Sequence, residues 1–264
     1  MTEPTDQSSE EWWKSFHVLE MADVLLDRSE QQLRTTLEFV QRELGLKRGS
    51  HLFDQCCGCG SLSIPLALQG LCVTGCDLFE PYIARAREDA AKQFETGSPT
   101  APEFFCADAF KFVASEPCDA VINWYSSFGY AADDATNQQM LDRAFESLKP
   151  GGRFALEIPN VPGLLRRFEP VLVQEGTSRG RAVRIVRTCE PDFELGLLRQ
   201  TWEWNVEGET AVTRQSAVKM YLPNRVRELL LAAGFDSVRM FGSAASEPYE
   251  MDSPRLLVTS EKPV

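Results

Sequence analysis

The chain has 264 residues, 43% hydrophobic and 25% charged, enough for one large α/β domain with a well-buried core. Its net charge of −12 argues against non-specific binding to nucleic acid or an anionic membrane; a small neutral or cationic partner fits better, although a local basic patch is compatible with an acidic chain. With no apolar run near the ~20 residues that span a bilayer, no basic start followed by an apolar stretch, and eight cysteines that read as reduced thiols, a cytoplasmic location without membrane association is expected.

Residues 1–9 are polar and expected to fray. From Glu10 to Arg28, Trp13, Phe16, Leu19, Ala22 and Leu25 or Leu26 recur at helical spacing. Ser29 then opens a second helix bearing Leu33, Leu37, Val40 and Leu44, so N-terminal helices occupy 10–46. After Gly49, strands are predicted at about 51–55, 71–76, 103–107, 118–123 and 153–158, with helical stretches at about 60–69, 79–95 and 134–148. This alternation predicts a Rossmann-like α/β fold. Its seven-stranded, mostly parallel sheet carries helices on both faces and is completed by a helix at 223–233 and strands at about 235–241 and 254–260. The rhythm breaks at 169–222. There RAVRIVRT, LLRQTWEWNV and TAVTRQSAVKMYL are separated by turn signals near Pro191-Asp192 and Glu207-Gly208. An antiparallel insertion is expected, serving as an active-site cover, a homodimer surface or both. The whole of 1–264 is expected to work as one domain.

The stretch FDQCCGCGS at 53–61 admits two readings. Cys56 and Cys59 form a Cys-x-x-Cys pair, but Cys72 and Cys76 make a poor second half of a metal site. Four residues apart on a strand, they lie about 13 Å from one another at ~3.3 Å per residue. No metal is expected. The glycines carry the better reading: a strand ends at Asp54-Gln55, a Gly-x-Gly turn follows at Gly58 and Gly60, and the apolar helix SLSIPLALQG begins. That is a nucleotide-cofactor loop. A dinucleotide fingerprint would place a third glycine where Ser63 stands. The second strand ends in Asp77, whose carboxylate can accept from both hydroxyls of a ribose. The third ends FFCADAF, putting Asp108 on the same edge, where it can accept from an adenine amine. Both acids are also good helix caps.

Taken in order and spacing, LFDQCCGCG, VTGCD, FFCADAF, CDAVINW and LKPGG resemble the successive motifs of class I S-adenosylmethionine (SAM) dependent methyltransferases, over about residues 30–160. The resemblance implies SAM as cofactor. It implies that Asp54, Gly58 and Gly60 shape the loop around the methionine part, with Cys56 standing where the family has its first loop glycine. It further implies that Asp77 holds the ribose, Leu78 or Phe79 packs on adenine, Asp108 and Ala109 bind the adenine edge, and Asn123 and Trp124 line the methionine side.

For the acceptor, the fourth strand runs into WYSSFGYAADD, which places Trp124, Tyr125, Phe128 and Tyr130 beside the methyl group. Trp13 and His17 on the first helix are candidates for a lid over substrate. Catalytic candidates are His17, Tyr125, Glu157 and Tyr221, whereas His51 starts a strand at the opposite edge and reads as structural. Arg34 could neutralise the SAM carboxylate, but a solvated helix face suits it better. The function expected is methyl transfer from SAM to a small-molecule N, O or C acceptor. The same motifs are compatible with a SAM-consuming cyclase or lyase that releases methylthioadenosine, or with a non-catalytic SAM-binding subunit. A nicotinamide oxidoreductase is opposed by Ser63 and by the Asp108 motif.

Overall fold

The computed structural model describes residues 11–25, 28–95, 97–98 and 100–264. Glu10, Leu26 and residues 1–9 therefore lie outside the described residues. The central sheet has seven strands in the order β10-β11-β5-β4-β1-β2-β3. They are β1 (His51–Gln55), β2 (Cys72–Asp77), β3 (Glu103–Cys106), β4 (Cys118–Asn123), β5 (Leu148–Pro159), β10 (Asp236–Phe241) and β11 (Arg255–Glu261). The first five run parallel, and β11 is antiparallel to both β5 and β10. Strands covered on both faces must be apolar throughout, and Leu52, Phe53, Val121 and Ile122 of the central pair are fully buried. The chain order reverses between β1 and β4, the position where open α/β sheets leave a crevice beyond the carboxyl ends of their strands.

Helices α3 (Glu30–Leu44), α4 (Ser63–Leu68), α5 (Glu80–Ala91), α6 (Asp134–Ser147) and α8 (Pro223–Ala232) match the predicted stretches. Helix α3 opens on a capping box. The Ser29 hydroxyl accepts from the Gln32 amide at 3.2 Å, and the Gln32 side chain accepts from the Ser29 amide at 3.0 Å. Gly45 closes that helix at φ 65°.

Several expectations are corrected. The single helix predicted before Ser29 is two short ones, α1 (Trp13–Phe16) and α2 (Leu19–Leu25), separated at His17–Val18. At the break the Arg214 guanidinium takes up backbone carbonyls, donating to Ser15 O and to His17 O, the latter at 3.3 Å. The turn predicted at LKPGG is absorbed into the irregular start of β5, because Gly151 and Gly152 exchange backbone hydrogen bonds with Lys262, each 2.8 Å. The alternative reading of Asp108 as a helix cap finds no helix beside it, since residues 109–111 form a turn.

The insertion is a four-stranded antiparallel sheet in the order β6-β7-β8-β9, one strand more than predicted. Its members are β6 (Val171–Ser178), β7 (Arg181–Asp192), β8 (Leu197–Val206) and β9 (Val212–Lys219), and the short α7 (Val161–Arg166) leads into it. Pro191 and Asp192 end β7 rather than making the turn, which falls at 193–196. Among the described residues, no helix is long and apolar enough to cross a membrane.

Candidate active site

A cavity of about 1010 Å³ opens at the carboxyl edge of the parallel sheet and extends beneath the second sheet. Its volume reaches the upper end of the ~300–1,000 Å³ typical of small-molecule sites. The loop after β1 forms one wall through Cys56, Cys57, Gly58 and Ser61, joined by Asp77 at the end of β2 and Tyr82 of α5. Gly58 and Gly60 turn this loop with φ of 56° and 77°. A Cβ on Gly60 would meet the Phe104 ring at 2.9 Å, so the tight turn requires glycine there. Cys56, at the family's glycine position, takes the left-handed conformation itself, with φ 65°.

Asp77 welds this wall together. Its Oδ2 accepts from the Gly58 amide at 3.0 Å and its Oδ1 from the Phe79 amide at 2.9 Å. Burial pushes its carboxyl upward, while the Phe79 amide and the nearby His17 charge resist. His17 is the mirror case. Burial lowers its pKa, and the Asp77 charge pulls it back up. The imidazole sits among Phe16, Phe79, Tyr82 and Tyr130, at ring-centroid distances of 5.5, 6.3, 5.8 and 6.2 Å. His17 thus lines the cavity next to the acid expected to bind ribose.

Asp54, Gly60 and Asn123 stand behind the wall, outside the cavity lining. Asp54 is 3% exposed and accepts from the Ser63 hydroxyl at 2.5 Å; burial raises its pKa to about 7 against the opposing pull of that hydrogen bond. Asn123 donates to Gln55 Oε1 at 3.1 Å and to Met140 Sδ at 3.2 Å. Leu78, Phe79, Asp108 and Ala109 also lie off the lining. The Asp108 carboxylate accepts from the Phe110 amide at 3.0 Å, an Asx-type turn, and Trp13 packs on the Phe110 ring at 5.5 Å. The sequence thus places Trp13 in the lid over substrate, whereas the structure puts it in the core beside Phe110. Its neighbour Trp12 takes the cavity position.

The loop after β4 supplies the second wall. Trp124, Tyr125, Phe128 and Tyr130 all line the cavity, together with Ser126 and Ser127. Tyr125 and Ser126 are consecutive left-handed residues with φ of 58° and 67°. They are pinned by Glu157, whose Oε2 accepts from the Tyr125 amide at 2.7 Å and whose Oε1 pairs with Arg255; Arg255 in turn reaches the Ser126 hydroxyl. With both oxygens engaged, Glu157 is a positioning group rather than a free base. Tyr221 is absent from the lining. Its hydroxyl donates to Asp134 at 2.9 Å and accepts from Asn137 at 3.0 Å while its ring stacks on Phe128 at 5.2 Å, so it buttresses the wall from behind. Burial holds the Tyr125 hydroxyl at about 12. His51 sits at the far edge, its Nε2 2.9 Å from Thr74 Oγ1, and Arg34 is exposed on α3.

The third wall is the inner face of the antiparallel sheet. Leu172 and Gln174, Arg187 and Cys189, Leu198, Gln200 and Trp202, and Ser216 and Val218 alternate along β6 to β9 and all face the cavity. Helices α1 and α2 strap the two sheets together. Trp12 Nε1 donates to Tyr130 O at 3.1 Å and to Ala217 O at 3.0 Å, and Phe16 packs edge-on against Trp202 and Trp204 at 5.6 and 5.4 Å. Asp23 pairs with Arg85 of α5 and accepts from Ser178 of β6 at 2.5 Å. Sequence reasoning missed Trp12, Ser61, Tyr82 and this inner face. The alternation in LLRQTWEWNV carried the signal for the last of these.

Comparison with known proteins agrees with this geometry. Residues 52–152 match the family model described as a methyltransferase domain. A protein of Geobacillus sp. (strain WCH70), provisionally named a methyltransferase, is 24% identical over 234 residues, covering 85% of this chain and 90% of its own. The CcbJ methyltransferase from Streptomyces caelestis superposes with a TM-score of 0.75 at 17% identity, over 92% of this chain and 96% of its own. The SAM-bound amino pentose methyltransferase CalS10 from Micromonospora echinaspora does so with a TM-score of 0.69 at 19% identity, over 94% and 98%. With the glycine turn at the switch point, the acid at the end of β2 and the sheet order in agreement, the chain carries a methyltransferase domain over residues 52–152 and has the fold of the SAM-dependent methyltransferases it resembles.

Proposed function

We propose that the protein transfers a methyl group from SAM to a small-molecule acceptor held between the aromatic loop after β4 and the inner face of the antiparallel sheet. The observation that carries this reading is one continuous cavity, walled by the cofactor loop at one end and the second sheet at the other. Neither sheet encloses it alone, so the chain works as one unit.

In this reading Cys56, Gly58 and Asp77 hold the donor, with Asp54, Gly60 and Asn123 supporting the loop from behind. Leu78, Phe79, Asp108 and Ala109 form the adenine end, which the packing of Trp13 on Phe110 borders. Bound SAM supplies an electrophilic methyl on a positively charged sulfur. The chain's own contribution is alignment and the exclusion of water. Trp124, Tyr125, Phe128 and Tyr130 line the cavity with aromatic rings, a composition suited to a cationic centre. The strap formed by α1 and α2 closes the donor end, with His17 as the one imidazole able to take a proton there.

An amine is the first acceptor class to test, because CalS10 is an amino pentose methyltransferase. Isothermal titration with SAM, followed by an acceptor screen read as S-adenosylhomocysteine release, tests the reading. Folded protein that fails to bind SAM, or that releases methylthioadenosine instead, would overturn it.

A further inference from the structure

We propose that the acceptor carries an anionic group, a carboxylate or a phosphate, and that Arg187 on the antiparallel sheet is its anchor. The inference rests on the reading of this cavity as the acceptor chamber and adds the chemistry of what fills it.

Five basic side chains line the cavity, and four have polar partners within the chain. Arg255 pairs with Glu157. Arg167 Nη1 lies 3.5 Å from an Asp252 carboxylate oxygen, Lys219 donates to Leu195 O at 2.8 Å, and Arg28 donates to Leu25 O at 2.8 Å while lying over the Tyr125 ring. Arg187 differs from all of these. Among the described residues it has no carboxylate within salt-bridge distance, and its buried Nε finds no acceptor. The guanidinium instead lies over the Trp202 ring at 4.8 Å.

A guanidinium stays charged at any physiological pH, so burial without a counter-ion imposes a desolvation cost that a ring face offsets only in part. Elsewhere on the same antiparallel sheet, arginines are given a carboxylate, as in Arg199 with Asp192 at 3.1 Å and Arg184 with Glu175 at 3.3 Å. Arg187 therefore lacks an acid by placement, not for want of acids in the sequence. An anion entering the cavity would meet the planar, multi-donor fork that suits carboxylate and phosphate oxygens.

The neighbouring groups fit the same role. Cys189 is two residues along on the same face and is register-paired with Gln200. The Gln200 Oε1 accepts from the Ser216 hydroxyl at 3.1 Å, and the Ser216 Oγ accepts from Trp202 Nε1 at 3.0 Å. That network fixes both the Gln200 amide and the Trp202 ring. It leaves the Gln200 NH2 with only the Cys189 sulfur at 3.9 Å, a weak acceptor. Arg187 and Gln200 thus present under-used donors from adjacent strands on one cavity wall. The net charge of −12 favours a neutral or cationic partner for the molecule as a whole; this patch selects an anionic group locally.

The test uses the full chain loaded with S-adenosylhomocysteine. Titration calorimetry with inorganic phosphate and pyrophosphate forms one arm, and titration with acetate and succinate forms the other. Binding of at least one anion to the wild type is expected. Arg187→Gln should weaken it tenfold or more and Arg187→Lys less, both with S-adenosylhomocysteine affinity within about twofold of wild type. The arm that responds distinguishes phosphate from carboxylate. Should Arg187→Gln not fold, the Arg187 Nε–H resonance of the wild type, followed during the same titrations, must shift and saturate. Wild-type protein that binds none of the anions, equal binding by Arg187→Gln, or an unmoved Arg187 resonance would overturn the proposal. Failure to bind S-adenosylhomocysteine at the outset would instead count against the methyltransferase reading itself.

Discussion

Cys56 takes the left-handed conformation, φ 65°, at a position where the resemblance implies glycine. An L-residue in the left-handed region costs roughly 1–2 kcal/mol, least for small side chains and most for β-branched ones. Cys56→Gly should therefore leave the melting temperature unchanged or raise it, whereas Cys56→Val should lower it; thermal denaturation followed by circular dichroism separates the two. Asp54 makes a second residue-scale prediction. Its carboxyl titrates near 3.8 when unfolded and at about 7 in the fold, so the folded state holds a proton that the unfolded chain releases first. The resulting stabilisation is complete below pH 3.8 and is lost as the pH rises to about 7, on the order of 4 kcal/mol in all. Urea denaturation of wild type and Asp54→Asn across that range should show the difference between them shrinking by that order as pH rises. The sequence marks Asp54, Gly58 and Asp77 because each ends or follows a strand at the switch point. It could not show that Asp54 faces Ser63 rather than the cavity, since one residue of register decides the face.

At the scale of elements, the strap of α1 and α2 ties the two sheets, and Trp12 is its best-anchored side chain. Its indole donates to a carbonyl on each side, Tyr130 of the aromatic loop and Ala217 of β9. Trp12→Ala removes a buried indole, a change that costs ~3–5 kcal/mol where the element cannot collapse into the gap. The loss should appear as faster amide exchange across Trp13–Leu25 and weaker SAM binding, with exchange in β1 and β4 unchanged. The parallel strands and the helices between them were legible because hydrophobic runs alternate with amphipathic ones. The stripe of Trp13, Phe16 and Leu19 predicts one helix for the strap, because periodicity does not register the tertiary hydrogen bonds that divide it. Strand β6 was missed because VLVQEGTS has one weakly apolar face at the edge of its sheet.

For the whole molecule, one chamber takes its walls from both sheets and the strap, so a ligand bound there, as the proposed function requires, should stabilise the entire fold. S-adenosylhomocysteine at 100 times its dissociation constant contributes about 2.7 kcal/mol. At roughly 2–4 °C per kcal/mol for a chain of this size class, the melting temperature should rise by about 5–10 °C. Scanning calorimetry checks this; a shift confined to a minor transition would mean that the sheets unfold separately. Seven mostly parallel strands follow from the sequence because local pattern and crossover rules constrain them together; their order comes from the structure. The chamber does not follow from the sequence, because its lining is assembled from residues as far apart as Trp12 and Leu257.

The division of labour between the two sheets has an evolutionary corollary. In the proposed function the donor contacts sit on the loops of the parallel strands, while Leu172, Gln174, Leu198 and Val218 sit on a separate ribbon, apart from the Gly58–Gly60 turn. On the proposed function, substitutions on that ribbon should retarget the protein to new acceptors without relearning how to hold the donor, and chimaeras that exchange residues 171–219 between relatives should inherit substrate preference from the ribbon's parent.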